Sequence, residues 1–155
     1  MLCYAVLPMG LAALYLLKAG RYADRFWTAV LPASYACYAM LPFVQTLPPR
    51  ALIAPLPDVS PECPRVFSRL RAFNHWILRH GSIHVNTFPS GHVAASAAAA
   101  LVLLQLDTRV GAIFAFLAFS IALGAVAGRY HYLADVIAGA AVALIAFLIE
   151  TWATS

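Results

Sequence analysis

Apolar residues run almost unbroken along this chain, and its polar residues gather into short clusters between the runs. The first run, residues 2–17, ends at Lys18-Ala19-Gly20-Arg21, where Asp24 and Arg25 extend a short polar loop. A second covers residues 26–47 with Pro32 and Pro42 inside it, which predicts a helix kinked where the prolines leave carbonyls unpaired. Pro48-Pro49-Arg50 ends that helix, since neither proline can continue the hydrogen-bond ladder. Beyond a loop carrying Pro55, Pro57, Pro61 and Pro64, the pattern of residues 65–80 changes. Val66, Leu70, Phe73 and Ile77 recur at helical spacing, joined by Phe67 and Trp76, with Arg65, Ser68, Arg69 and His75 opposite. That predicts a helix lying in an interface plane, apolar face down. A third run starts at Ser90 and reaches Leu106, with small residues at 94–97 that let another backbone approach. Asp107-Thr108-Arg109 forms a polar turn, a fourth run spans residues 110–127, and a fifth spans 132–152 with Glu150 near the far surface.

Several runs exceed the roughly 18 nearly uncharged residues that mark a membrane-crossing helix. The expected fold is therefore all-α: one domain, residues 1–155, built as a polytopic membrane bundle of about five transmembrane helices plus the interfacial helix. The first run lacks a basic leader and a small-residue cleavage site, so it reads as a span rather than a signal peptide. Composition agrees: 63% of the 155 residues are hydrophobic and 10% charged, against about 25% charged in a soluble domain. The net charge of +4 sits between apolar spans. This excludes a nucleic-acid-binding surface and suits contact with anionic membrane lipids. Cys3, Cys37 and Cys63 are too few and too scattered for a disulfide framework or a metal knuckle.

Counting crossings brings the polar clusters together. From His92 the chain crosses at the third span and returns at the fourth, so His92 and His131 share one face, and Arg50 shares it through the long loop. His131 and Asp135 are four residues apart and share a helical face if the fifth helix already includes His131. A carboxylate on one imidazole nitrogen would fix the tautomer and stabilise positive charge as the other nitrogen bonds to phosphorus or takes a proton. The competing reading makes Asp135 a local helix cap, against which stands the cost of about 2.5–3.5 kcal/mol for an aspartate deep in a membrane helix. Ser90 and Gly91 open the third helix, where unpaired amides, a hydroxyl and the positive dipole end form an anion cradle. His92 follows, placed to protonate a leaving oxygen. Arg50 and Arg129 are candidate phosphate clamps, or simply arginines reaching for the interface. His84, His92, His131 and Asp135 could instead ligate zinc, but the chain has no His-Glu-x-x-His helix and the nearby arginines would repel a cation. No metal or other cofactor is expected.

Pro89-Ser90-Gly91-His92, followed by His131-Tyr-Leu-Ala-Asp135-Val-Ile-Ala-Gly139, resembles the type 2 phosphatidic acid phosphatase family, within the acid phosphatase and vanadium haloperoxidase superfamily. The likeness covers about residues 48–139. It implies a metal-independent phosphatase or phosphotransferase with a six-helix membrane core, against the five spans counted here, which leaves an N-terminal helix absent or the start misplaced. Under it, His131 is the nucleophile forming a phosphohistidine, Asp135 its partner and His92 the general acid, with Ser90 and Gly91 binding phosphate. The family's arginine six residues before the histidine is Ala125 here, and Arg129 stands in for its charge. The first-motif lysine is missing, and Pro48-Pro49-Arg50, Phe88 before the serine motif, and Arg129-Tyr-His-Tyr are similar to the inositol phosphorylceramide synthase branch.

Three functions follow as expectations: a lipid phosphate phosphatase, a transferase passing the phosphoryl headgroup to an alcohol, or a non-catalytic membrane homologue. Charge counting alone puts the site on the cytoplasmic side, whereas the resemblance puts it on the extracytoplasmic side of the cell membrane, which is the orientation expected here. Oligomeric state is not legible.

Overall fold

The computed structural model describes residues 2–44, 46–52 and 88–154. The elements among the described residues are all helical, with no strand. Their elements in order are α1 (Leu2–Leu16), a 3-10 turn (Gly20–Tyr22), α2 (Ala23–Met40), the single turn α3 (Pro49–Leu52), α4 (Gly91–Leu106), α5 (Thr108–Ala127) and α6 (Leu133–Ala153). The amphipathic stretch 65–80 and His84 lie outside the described residues.

α4 is the hub, packed against α1, α2, α5 and α6. Its sequence allows this, because Ala94, Ala98, Ala99 and Ala100 are buried and small side chains let neighbouring backbones close in. Val6 and Leu14 of α1 and Phe26, Ala29, Val30 and Ala33 of α2 complete that core. A Cβ on Gly111 would lie 2.3 Å from the Leu104 Cα, so glycine there is what lets α5 fold back tightly on α4. The expected polar turn between them shrinks to Asp107, whose carboxylate accepts from the Arg109 and Val110 amides at 2.9 Å each and starts α5 at once.

Two boundaries differ from expectation for identifiable reasons. α2 stops at Met40 rather than running through Pro42. Proline has no amide for the Tyr38 carbonyl, so the Leu41 N–H donates to it instead at 3.1 Å and tightens the end. Pro49 accordingly does not end a helix; it occupies the first position of α3, where a missing N–H is harmless. At its other end α2 begins at Ala23, so Asp24 and Arg25 are helical rather than in a loop. Arg25 can be there because Glu150, near the far end of α6, is buried and paired with it at 2.6 Å.

Five long helices are observed among the described residues, and two of them, α5 and α6, are long and apolar enough to cross a membrane. Only 17% and 22% of their apolar windows are buried within the chain, so neither resembles a covered core helix.

Candidate active site

The two polar motifs meet at one end of the bundle, where α4 and α6 begin and α5 ends. The Ser90 amide donates to the Asp135 carbonyl at 3.0 Å, joining the segments directly through backbone. One turn further along α6, Gly139 passes so close that a Cβ there would lie 2.5 Å from the Ser90 carbonyl oxygen. The His92 and His131 rings stand edge to face, their centroids 6.3 Å apart.

Asp135 organises the histidine. Its Oδ2 lies 3.4 Å from His131 Nδ1, at the long end of hydrogen-bond range, and accepts the Tyr132 amide at 2.9 Å. The two sequence readings of Asp135, helix cap and histidine partner, thus coexist on one oxygen. α6 starts at Leu133, so His131 lies in the preceding turn and does not share a helical face with Asp135. It reaches the carboxylate because Tyr132 is extended (φ −74°, ψ 159°) and folds the turn back over the helix start. The His131 and Asp135 side chains are 13% and 4% exposed, which strengthens their interaction relative to water. With Nδ1–H donated to the carboxylate, Nε2 carries the imidazole lone pair.

Ser90 is in the N-cap position of α4, extended (φ −72°, ψ 101°), yet its side chain makes no capping hydrogen bond. Its Oγ is fully buried and has no partner among the described residues. Ser96, also buried, differs, since its hydroxyl donates to the His92 carbonyl at 2.8 Å. An orphaned buried hydroxyl costs about 1–3 kcal/mol, and this one sits at the positive end of a 16-residue helix whose first amides have no intrahelical acceptor. An anion would satisfy all of them.

Arg129 lies on the turn leading to His131, in the left-handed region at φ 57°. Where the resembled family has arginine, the Ala125 carbonyl accepts the Tyr130 and His131 amides at 3.0 and 3.1 Å, shaping this turn through backbone alone. Arg50 belongs to α3, and its side chain lies outside the described set. The structure thus brings together His92, His131, Asp135, Ser90 and Gly91, with Arg129 two residues from the nucleophile candidate. Sequence reasoning missed the spacing role of Gly139, although that glycine closes the second motif. Among the described residues no group of three or more His, Cys, Asp or Glu side chains could hold a metal ion.

A family model described as the PAP2 superfamily matches residues 1–149. No curated protein and no solved structure matches the chain. On a match of nearly its whole length, with both histidine motifs inside it, the chain belongs to the PAP2 superfamily, a membership that suggests phosphatase-type phosphoryl-transfer chemistry.

Proposed function

We propose that the protein is a membrane-embedded, metal-independent lipid phosphate phosphatase working through a phosphohistidine on His131. The observation that carries this is the single cluster in which Asp135 holds His131 Nδ1, the Ser90 amide is tied to Asp135, and the His92 ring stands 6.3 Å from that of His131. A nucleophile about 3 Å from phosphorus on one side and an acid about 3 Å from the leaving oxygen on the other require two imidazoles that are separated and not stacked.

In the first step Nε2 of His131 forms a bond to phosphorus, the bond from phosphorus to the lipid oxygen breaks, and His92, protonated, gives its proton to that oxygen. Asp135 stabilises the positive charge left on the phosphorylated ring. Water then attacks phosphorus as neutral His92 takes its proton, and the P–N bond breaks to release phosphate and restore His131. Ser90, the first amides of α4, Arg129 and Arg50 are assigned to the phosphoryl oxygens, where charge accumulates.

Lipid as the carrier is supported by the apolar surface that runs along the two helices ending and beginning at the site. Ile113, Phe116, Phe119 and Leu123 of α5 are exposed, as are Ile137, Leu144, Ile145 and Leu148 of α6. A belt of that extent is disfavoured in water and suits hydrocarbon. The five long helices would then all cross the bilayer, with the site at its extracytoplasmic edge.

The test is phosphate release from phosphatidic acid and from a polyprenyl diphosphate in mixed micelles containing a chelator. His131→Ala is expected to lower kcat at least about a thousandfold and to abolish acid-labile phosphoprotein. A fully active His131→Ala protein would falsify the nucleophile assignment. Repeating the assay with an acceptor alcohol separates the second reading, favoured by Phe88-Pro-Ser-Gly-His and Arg129-Tyr-His-Tyr. Transfer gives a phosphorylated acceptor where hydrolysis gives free phosphate.

A further inference from the structure

Near its C-terminal end α2 lays Tyr38 against the opening residue of α4. A Cβ built on Gly91 would lie 3.8 Å from both Cε1 and Cζ of Tyr38, and 3.7 Å from the Cys37 Cβ. The phenol oxygen is one bond beyond Cζ, so it lies in the neighbourhood of the residue that opens α4. Tyr38 is 52% exposed, so the core does not account for it. A phenylalanine would make the same ring contact with Gly91. What tyrosine adds over phenylalanine is an O–H donor close to Gly91. The fully buried Ser90 Oγ, lacking a partner among the described residues, independently marks this helix start as a place where an anionic oxygen is wanted.

We propose that Tyr38 is a further substrate-binding residue, its phenol donating a hydrogen bond to a non-bridging oxygen of the phosphoryl group seated at Ser90–His92. This rests on the phosphoryl site proposed above and adds a binding group from α2, a helix that the two sequence motifs do not include. A non-bridging oxygen is present in substrate and transition state alike, so the contact belongs to binding more than to turnover.

The experiment compares the full chain with its Tyr38→Phe variant in detergent micelles. It measures orthovanadate binding, KM and kcat for phosphatidic acid, and the thermal unfolding midpoint. The expected result is vanadate binding weakened roughly tenfold, KM raised by a similar factor, and kcat and unfolding little changed. Vanadate affinity and KM within twofold of the parent would overturn the Tyr38 assignment and leave the phosphatase reading standing. A parent chain that neither binds vanadate nor releases phosphate would overturn both.

Discussion

Gly139 and Arg129 show how single positions are decided by neighbours distant in sequence or by unexpected use of space. Ser90 occupies the volume that a side chain at 139 would need, at 2.5 Å from its carbonyl oxygen and 3.3 Å from its carbonyl carbon. The serine cannot move away easily, because its amide is bonded to Asp135 and its carbonyl to the Ala94 amide, both at 3.0 Å. Gly139→Ala should therefore push α6 off the serine loop and lower stability by about 1–3 kcal/mol, as overpacking does. Activity should fall further, since the same shift separates His92 from His131. Thermal unfolding and phosphate release of the variant check this; parental values for both would contradict the close approach. At the other end of the motif, Gly128 and Arg129 divide the turn between them. Gly128 has φ −77°, while Arg129 takes φ 57°. Gly128 is needed for room, because a Cβ there would meet the Tyr130 ring at 2.6 Å. Arg129 bears the left-handed cost of about 1–2 kcal/mol.

Among the elements, α2 was the least legible from its own residues. Asp24 and Arg25 read as loop because a charge at the edge of an apolar run suggests solvent, and the partner that admits Arg25 to the helix is 125 positions away. Arg25 Nε donates to Glu150 at 2.6 Å, while its Nη2 donates to Glu150 at 3.2 Å and to Gln105 at 3.1 Å. This group joins α2, α4 and α6 at the end opposite the histidines, and those are the three helices that supply Tyr38, His92 and Asp135. Glu150→Leu should lower stability by roughly 2 kcal/mol, less than the loss for a fully buried pair because the Arg25 side chain is 26% exposed. Adding Arg25→Met should recover most of it, the unpaired charge having gone. A melting temperature for Glu150→Leu equal to the parent's would show that the pair contributes nothing.

For the whole molecule, topology makes a claim about sides. The start of α4, the end of α5 and the start of α6 share one end of the bundle, and the segment joining α3 to α4 must meet it at Ser90. Under the proposed orientation, that end of the bundle is extracytoplasmic. Ser82→Cys, in a chain carrying Cys3→Ser and Cys63→Ser, should react with a membrane-impermeant maleimide in intact cells. Labelling only after the cells are opened would reverse the orientation and favour the count of positive charges, which put the site inside.

Much of this protein could be read from its residues in order. Long apolar runs dictate helices wherever they occur, so the all-helical class followed from the hydrophobic pattern, while the family followed from the resemblance carried by the motifs around His92 and His131. The tertiary structure decided what depends on contact between distant segments: the burial of Glu150 against Arg25, the missing side chain at Gly139, the placement of Tyr38 beside Gly91, and the reach of His131 to Asp135 from outside the helix. A local pattern records what a residue prefers. Packing determines which other residue occupies the adjacent few ångströms, and here it brings two separate motifs together at one end of the bundle.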